Sequence, residues 1–365
     1  MKISPWVHEF SGTHPFIIAG PCSAESEEQL LTLAFALKAL GITTMRAGVW
    51  KPRTRPNTFE GMGAVAFDWI TKAKAATGMR FATEVATAEH VELALRADID
   101  ILWLGARTTV NPFTVQEIAD ALKGVKKPVL VKNPINPEEG LWLGAIERIY
   151  KAGVERVGAL HRGFSSYQKS RYRNQPYWQI PLSLKSQFPE MPLLADPSHI
   201  AGSRELIFEV SQKAMDLGYD GLMIETHPQP DRALSDAQQQ ITPETLKTLL
   251  EQLRISSHSS TDTFFINQLE ILRHKIDSLD QELIDTLSAR MNLVNLIGAY
   301  KRDNNVTVFQ LERWQEIMQT RSDWGSRQKL SSEFITEIFK AIHDESIRLQ
   351  TDVITKEPSP SNDAS

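Results

Sequence analysis

Four residues whose side chains suit a metal ion stand at or near the ends of short apolar segments. They are Cys22 after FIIAGP (16–21), His199 after PLLADPS (192–198), Glu225 at the end of GLMIE (221–225), and Asp236 in the segment that follows. A thiolate, an imidazole and two carboxylates suit a divalent first-row metal better than calcium or magnesium, which prefer ligand shells of oxygen alone. These residues therefore predict metal-assisted chemistry.

Cations follow or end most of the other apolar segments. They are Arg46, Lys51, Arg53, Arg107, Lys132 and Arg162. Six positive charges gathered in one site would repel each other unless anions neutralised them. Arginine can hold a phosphate or a carboxylate through two parallel hydrogen bonds, whereas lysine acts as a point charge. We therefore expect a site for small phosphorylated and carboxylated molecules.

Short β-type segments alternate with longer segments of helical periodicity from residue 16 to about 253, which is typical of a parallel α/β fold. The eight predicted strands are FIIAGP (16–21), TTMRAGV (43–49), RFATEV (80–85), ILWLGA (101–106), PVLVKN (128–133), RVGALHRG (156–163), PLLADP (192–197) and GLMIET (221–226). Eight strands with intervening helices, such as 25–41 and 203–218, match a (β/α)8 TIM barrel in number and length. The first, seventh and eighth strands of a closed barrel are neighbours, so the four candidate ligands would meet at one mouth.

An open, doubly wound α/β sheet is the alternative fold. Such a sheet binds dinucleotides through a glycine-rich turn directly after a strand. The only candidate turn, GMGAVA (61–66), follows a long loop and is a weak fingerprint. We therefore interpret it as the start of a helix.

The pattern changes after a polar segment, RISSHSSTDT (254–263), which we interpret as a linker. Residues 264–302 carry apolar side chains at three- and four-residue spacing and contain no proline, so they predict one long helix. Two further helices are expected at about 309–320 and 331–352, and residues 356–365 have the composition of a disordered tail. The long amphipathic helix needs a bundle partner, from its own chain or from another.

Charge and cysteine content argue against several classes of protein. The 365 residues carry a formal net charge of −5, so no general attraction to nucleic acid or to an anionic membrane is expected. A single cysteine allows no internal disulfide and suits the reducing cytoplasm. The N-terminus has no long apolar core, and LLTLAFALKAL (30–40) is too short for a bilayer, so neither a signal peptide nor a membrane span is predicted.

Motifs across residues 16–253 resemble those of the 3-deoxy-D-arabino-heptulosonate 7-phosphate (DAHP) synthases, most closely the compact subgroup without barrel elaborations. The motifs are GPCSAES (20–26), RAGVWKPRTRP (46–56), TEV (83–85), GAR (105–107), VKNP (131–134), HRG (161–163), DPSH (196–199), IETHP (224–228) and LSDAQQQ (234–240). The resemblance implies a barrel domain over residues 1–253 that condenses phosphoenolpyruvate with erythrose 4-phosphate, the first step of the shikimate pathway. It also implies a divalent metal on the four residues named above. Manganese is the expected ion, and iron, zinc or cobalt would suit the same ligands.

The same resemblance implies roles for the cations. Those that would bind phosphoenolpyruvate are Arg46, Lys51 and Lys132 for its carboxylate, and Arg107 and Arg162 for its phosphate. Lys132 would also deliver a proton, Arg53 and Thr54 would bind the phosphate of erythrose 4-phosphate, and Glu84 would orient water or the cations. The closest rival is the octulosonate 8-phosphate synthase, a barrel that uses phosphoenolpyruvate and a five-carbon sugar phosphate. The KPRT segment (51–54) and the C-terminal helices argue against it.

Residues 264–355 resemble the all-helical chorismate mutases. The six residues at that family's functional spacing are Arg273, Arg290, Lys301, Arg313, Ser346 and Gln350. The rearrangement of chorismate to prephenate needs no nucleophile, but it needs a pocket that holds the reactive fold and donors for the ether oxygen. The resemblance implies that the arginines bind the carboxylates and that Lys301 and Gln350 serve the ether oxygen.

One position departs from the mutase pattern. Trp314 stands where a glutamate for the substrate hydroxyl is common, and Glu312 or Gln310 is the candidate replacement. The helical domain is therefore open to a second interpretation, as a regulatory ligand-binding module with little catalysis of its own. Because an early and a later step of one pathway are fused, we also expect prephenate to inhibit the synthase.

The long helix predicts a homodimer through the mutase domains. Arg273 and Arg290 lie roughly 25 Å apart along a continuous helix with ~1.5 Å rise per residue, and on different faces, so chorismate cannot contact both. Arg290 and Lys301 nearly share a face and can bind one ligand. Arg273 must then come from the partner helix of an antiparallel dimer, as the mutase resemblance also implies.

Overall fold

A computed structural model of the protein describes residues 1, 3–11, 15–51, 58–167, 170–256 and 262–355. The chain divides into two compact units, Met1–His258 and Ser259–Ser365. Arg53 and Thr54, which were predicted to bind erythrose 4-phosphate, lie outside the described residues. Residues 257–261, which are half of the expected linker, and the expected tail at 356–365 also lie outside them.

The first unit is built on eight parallel strands that close into a barrel in chain order. The strands are β1 (Phe16–Gly20), β2 (Thr44–Arg46), β3 (Arg80–Val85), β4 (Ile101–Leu104), β5 (Val129–Lys132), β6 (Val157–His161), β7 (Leu193–Ala195) and β8 (Gly221–Glu225). Phe16 pairs with Gly221 and Gly20 with Glu225, and this pairing of β1 with β8 closes the ring. The predicted TIM barrel is confirmed, and the doubly wound sheet is wrong, because a closed ring has no edge strand.

Helices alternate with the strands along the chain. They are α1 (Glu27–Ala39), α2 (Ala66–Thr77), α3 (Ala88–Arg96), α4 (Ala106–Thr109), α5 (Pro112–Ala121), α6 (Glu139–Lys151), α7 (Gln179–Gln187), α8 (Pro197–Ala201), α9 (Ile207–Asp216) and α10 (Pro243–Gln252). Ser26, Thr87 and Asn111 begin α1, α3 and α5 by accepting hydrogen bonds from backbone N–H groups of the first turn. Gly63–Val65 forms a 3-10 turn that leads into α2, so the interpretation of GMGAVA as a helix start is confirmed.

Alternation along the strands produces two apolar layers. Ile18 and Leu160 belong to one buried cluster together with Trp6. Their chain neighbours Ala19 and Ala159 belong to a second, larger cluster that includes the apolar faces of the helices. Successive side chains of a strand point to opposite faces, so the first cluster fills the barrel and the second lies between the strands and the helices. A filled interior leaves the strand ends as the place for ligands.

The second unit consists of three helices, α11 (Thr263–Asp303), α12 (Leu311–Arg327) and α13 (Ser332–Thr355). The long helix predicted at 264–302 is confirmed and spans 41 residues. Gly325 allows α12 to approach α13 closely, because a Cβ at this position would lie only 2.3 Å from Ile335 Cγ1.

A row of apolar side chains on α11 is exposed in the single chain. Leu272, Ile276, Leu279 and Leu283 each expose between 55 and 62 % of their surface. Apolar residues at this spacing on an amphipathic helix normally pack against another element. Among the described residues, no helix is both long and apolar enough to cross a membrane.

Candidate active sites of the two units

Strand ends bring three of the predicted metal ligands together. Cys22 follows β1 and Glu225 is the last residue of β8, so the pairing of these two strands places both side chains at one mouth of the barrel. Asp236 reaches the same place from the following segment, with left-handed backbone dihedrals of φ 44° and ψ 40°. One donor atom from each of the three residues lies within 4.8 Å of the others.

His199, the fourth predicted ligand, lies in the short helix α8. Asp196 caps this helix by accepting a hydrogen bond from the His199 backbone N–H at 3.1 Å, and it lies 2.8 Å from the imidazole Nδ1. The proton therefore belongs on Nδ1, which leaves Nε2 as an electron-pair donor 3.8 Å from Glu225 Oε1. Burial lowers the pKa of His199 although Asp196 opposes that shift, so the imidazole is neutral, as a metal ligand must be.

Both carboxylates of the cluster are ionised at neutral pH. Burial alone would raise their pKa values, but the permanent charges of Arg46 and Lys51 lower the pKa of Glu225, and Lys51 lowers the pKa of Asp236. Glu225 Oε1 is buried, lies 3.1 Å from Arg46 Nη2, and has no partner with hydrogen-bond geometry among the described residues. An ionised oxygen of this kind can accept a cation.

The Lys51 ammonium bridges the thiol and one carboxylate. Its Nζ lies 2.7 Å from Cys22 Sγ and 2.8 Å from Asp236 Oδ2. Burial, with the charge of Glu225, raises the pKa of the Cys22 thiol to about 12. A metal deprotonates a thiol that coordinates it, so a metal and a proton would compete for this sulfur. Sulfur, imidazole nitrogen and carboxylate oxygen together fit a divalent first-row metal.

Trp103 of β4 contacts two of the predicted cations. The guanidinium of Arg46 lies 5.0 Å from the centroid of the indole, and Lys132 Nζ lies 5.6 Å from it. The indole N–H donates to Glu84 Oε2 at 2.8 Å. Lys132 is also paired with Asp196 at 2.9 Å, and both side chains are buried. Sequence reasoning missed Trp103, because an apolar segment does not reveal which of its residues faces the mouth.

Three arginines lie near one another at the same mouth. The pKa of Arg162 falls to about 10, first because the side chain is buried and then because Arg173 and Arg107 are close. Arg162 Nη1 donates to Asn174 Oδ1 at 2.7 Å. Arg173 lies 3.4 Å from Asp236 Oδ1, and both residues line a cavity of about 440 Å³. A bound anion would relieve the repulsion among the guanidinium groups. No sequence signal had singled out Arg173.

Several of the predicted chorismate-binding residues form one hydrogen-bonded group in the helical unit. Arg290 Nη1 of α11 donates to Ser346 Oγ of α13 at 2.8 Å. Gln350, one turn further along α13, donates to the Ser346 carbonyl at 3.2 Å. Its Oε1 is buried and has no hydrogen-bond partner among the described residues. Lys301 Nζ donates to the carbonyl of Val308 at 2.6 Å.

His343 lies close to Arg290 and Lys301 of this site, although no sequence signal had pointed to it. Its ring stacks on Trp314 with 3.9 Å between the centroids. Burial lowers its pKa, Asp344 opposes the shift, and Arg290 and Lys301 add to it. Its buried Nε2 has no hydrogen-bond partner among the described residues. A neutral imidazole therefore packs on the tryptophan that stands where an acid was expected.

The other two predicted residues pair with acids of their own helices. Arg273 lies 2.8 Å from Glu270, and Arg313 lies 2.6 Å from Glu316. Both arginine side chains are more than half exposed, at 61 % and 55 %. The contribution of Arg273 to a site in a second chain stays a prediction.

Comparisons with known proteins agree with both units. The sequence profile of the DAHP synthetase I family matches residues 6–259, and that of chorismate mutase type II matches residues 272–351. Over 239 residues the chain is 34 % identical to the phospho-2-dehydro-3-deoxyheptonate aldolase of Thermotoga maritima. The aligned region covers 65 % of this chain and 68 % of that protein. The bifunctional chorismate mutase/prephenate dehydratase of Buchnera aphidicola is 33 % identical over 90 residues, or 25 % of this chain and 23 % of that protein. A crystal structure of the Thermotoga aldolase superposes with a TM-score of 0.59 at 31 % identity, covering 65 % of this chain and 67 % of that chain.

Proposed function

The chain belongs to the DAHP synthetase I family and ends in a chorismate mutase type II domain, and from this membership we propose how its two sites work. It is a fused bifunctional enzyme. The barrel unit condenses phosphoenolpyruvate with erythrose 4-phosphate to DAHP and phosphate, and the helical unit rearranges chorismate to prephenate. The observation that best supports the first site is a thiol and carboxylate cluster beside buried cations at one barrel mouth.

Cations of the barrel bind phosphoenolpyruvate. They are Arg46, Lys51 and Lys132 for the carboxylate, and Arg107 and Arg162 for the phosphate. Fixed side chains favour this role, because Trp103 contacts Arg46 and Lys132, and Asn174 accepts a hydrogen bond from Arg162. Arg53 and Thr54 bind the phosphate of the second substrate, and binding both substrates in one site brings the reacting carbons together.

Condensation joins the enol carbon of phosphoenolpyruvate to the aldehyde carbon of the sugar. The divalent metal on Cys22 and its neighbours supplies, when bound, Lewis acidity for the aldehyde oxygen. Lys132 delivers the proton which that oxygen needs, and its 2.9 Å ion pair with Asp196 fixes the position of its Nζ. Glu84, fixed by the Trp103 N–H, orients the water that adds to the other enol carbon as phosphate leaves.

Chorismate rearranges in the helical unit by proximity and charge stabilisation. Arg290 and Ser346, joined at 2.8 Å, form the carboxylate-binding part of the pocket. Lys301 and Gln350 donate to the ether oxygen as negative charge grows on it. Arg313 and, from a second chain, Arg273 complete the carboxylate site.

The organisation of the protein follows from these roles. The synthase occupies residues 1–253 and the mutase residues 264–355, with a linker at 254–263 and a tail at 356–365. The protein is a homodimer through its mutase domains and works in the cytoplasm, where its single thiol stays reduced. Manganese is the ion we expect, with iron, zinc and cobalt as alternatives, and prephenate inhibits the synthase.

Assays of the purified full chain test both activities. With manganese present, we expect phosphate release and DAHP formation from phosphoenolpyruvate and erythrose 4-phosphate, and far slower reaction with a five-carbon aldose phosphate. The opposite preference would assign an octulosonate 8-phosphate synthase. Chorismate consumption is followed in the same preparation, and its absence would make the helical unit a regulatory ligand-binding module.

A further inference from the structure

We propose that Gln239 and Gln240 are positioning residues of the barrel metal site, and that each fixes a different metal ligand. The inference rests on the proposed metal site and goes beyond it, because neither glutamine was assigned any role by sequence. Both side chains are almost fully buried, at 1 % and 0 % exposure. Buried amides of this kind are stable only when their donors and acceptors are paired.

Gln240 joins the two chain segments that carry Cys22 and Asp236. Its Oε1 accepts a hydrogen bond from the Cys22 backbone N–H at 2.9 Å, and its Nε2 donates to the Ser235 carbonyl at 2.8 Å. Ser235 directly precedes Asp236, so one side chain connects the residue that presents the thiol with the residue before the carboxylate. Cys22 and Asp236 are 214 positions apart in the chain and belong to none of the described strands, and the Ser23 and Ser235 hydroxyls, 2.9 Å apart, form a second link between their segments.

Gln239 selects which oxygen of Glu225 faces a cation. Its Nε2 donates to Glu225 Oε2 at 2.7 Å, and its Oε1 accepts from Arg173 Nη1 at 2.6 Å. With Oε2 occupied by this bond, the buried Glu225 Oε1 is left as the oxygen without a hydrogen-bond partner. Arg173 also lies 3.4 Å from Asp236 Oδ1. Gln239 therefore contacts the Glu225 carboxylate directly and is linked to the Asp236 carboxylate through the Arg173 guanidinium.

The chemistry of the amide explains why glutamine suits both positions. Each side chain must donate at one end and accept at the other, which a carboxylate cannot do and an apolar chain cannot replace. Reversing the Gln239 amide would point an oxygen at the Glu225 carboxylate. Backbone hydrogen bonds hold the end of this segment, since Ile241 pairs with Glu225 and His227, whereas Asp236 itself has a left-handed φ of 44° and is followed by only a three-residue turn, Ala237–Gln239.

Cobalt binding gives a test that does not depend on catalysis. Metal-stripped protein is titrated with Co²⁺, whose sulfur-to-metal charge-transfer absorption reports coordination by Cys22. We expect Gln239→Met and Gln240→Met each to weaken Co²⁺ binding by roughly 10- to 100-fold, the usual effect of removing a partner that orients a metal ligand. Gln240→Met should also shift or weaken the charge-transfer band, because it releases the Cys22 backbone. The exposed neighbour Gln238 provides the matched control, and Gln238→Met should bind as the wild type does.

A variant of nearly unchanged shape protects the test against misfolding. Gln240→Glu keeps the acceptor for Cys22 but loses the donor to Ser235, so we expect weaker binding, and thermal melting without metal establishes that each variant is folded before its affinity is compared. Folded Gln239 and Gln240 variants with unchanged Co²⁺ affinity and an unchanged charge-transfer band would overturn this inference. The proposed metal site would still stand in that case, provided that Cys22→Ala loses the band. A wild type that shows no thiolate band would overturn the proposed metal site, and the inference with it.

Discussion

The Cys22 thiol is the residue on which the proposed metal site depends most strongly. Its burial and the nearby charge of Glu225 hold its pKa at about 12, so without a cation the sulfur keeps its proton. A metal at the site would displace that proton. Because the thiol is the one soft ligand among carboxylates and an imidazole, its loss leaves a harder and less complete ligand set.

Replacing Cys22 with alanine should therefore separate the two activities. We expect Cys22→Ala to weaken metal affinity by at least about 100-fold, because loss of a residue that only orients a ligand already costs up to about 100-fold. When metal is limiting, synthase activity should fall together with metal affinity. Chorismate rearrangement should not change, because the proposed mutase chemistry uses no metal. Both activities are measured in one preparation, before and after chelation. A mutase that stops on chelation would contradict the assignment of metal to the barrel alone.

His161 links the pH of the solution to the stability of the barrel. Its Nε2–H donates to the Pro176 carbonyl at 2.7 Å, so Nδ1 must accept from the Tyr219 hydroxyl at 3.0 Å. Burial lowers the pKa of His161 to about 3, below the ordinary value near 6.5 of the unfolded chain. Between these values the unfolded state binds the additional proton, so stability is present above pH 6.5 and is lost as the pH falls towards 3.

We expect the free energy of unfolding of the barrel unit to fall by up to about 1.4 kcal/mol per pH unit below pH 6.5 through this one group. His161→Gln should be less stable at pH 7 and should lose that part of the pH dependence. Urea unfolding at several pH values between 7 and 4 measures both effects. His8→Gln, at an exposed position of the same unit, is the control. Parallel pH profiles of the His161 variant and the wild type would refute the linkage.

At the scale of elements, seven of the eight strands end earlier than their predicted segments, and β3 alone among them ends where its segment does. The segment 43–49 predicts seven strand residues, but β2 contains only Thr44–Arg46. A Cβ at Gly48 would lie 2.3 Å from the Cys22 carbonyl, and the Gly48 carbonyl accepts from the Ala24 N–H at 2.8 Å. The chain after β2 therefore packs against the turn that carries the thiol, where it can help to hold that turn.

Close approach of helices makes Gly325 sensitive to substitution. In Gly325→Ala the new methyl group would overlap Ile335 Cγ1, which belongs to a β-branched side chain that cannot easily turn away. We expect a net destabilisation of the helical unit by about 1 kcal/mol, because overpacking costs roughly 2 kcal/mol and the gain in helix propensity offsets ~1 kcal/mol of it. Thermal unfolding measures it, with Ser326→Ala at an exposed site of the same helix as control. Equal or higher stability would show that α12 and α13 can separate at little cost.

At the scale of the whole molecule, the two activities share one chain, and this suggests feedback. We expect prephenate to lower the synthase rate in the full-length protein. A ligand that binds one conformational state more tightly increases the population of that state, and the synthase rate falls if that state is the less active one. A shortened chain lacking residues 256–365 should retain synthase activity and lose this response. Rates are measured at saturating prephenate in both proteins. An intact protein that is insensitive to prephenate would exclude this regulation.

The exposed apolar row of α11 and the position of Arg273 predict sites shared between two chains. We expect Arg273→Ala and Lys301→Ala each to inactivate the mutase. A mixture unfolded and refolded together should regain up to about a quarter of wild-type activity, because mixed dimers rebuild one intact site of two. Mutase assays and gel filtration of the mixture test this. Mixed dimers as inactive as their parents would mean that each site lies within one chain.

Local patterns were sufficient for much of this molecule. The alternation of apolar segments with helical periodicity predicted eight strands in a closed barrel, and unbroken three- and four-residue spacing predicted the long helix α11. Both signals depend only on neighbouring residues, since the side-chain periods of strands and helices are local properties. The types of the ligands and cations were also readable, because thiol, imidazole, carboxylate and guanidinium groups carry their chemistry with them.

Tertiary structure alone decided which side chains support those groups. Trp103 near Arg46 and Lys132, Arg173 beside Asp236, and His343 against Trp314 are contacts between segments that no local pattern relates. Gln240 reaches Cys22 across 218 positions only because β8 pairs with β1 and closes the barrel. The type of a residue determines which interactions it can make, and this can be read from the sequence. Closure of the fold determines its partner, since hydrogen bonds and close ion pairs need the two groups within a few ångströms.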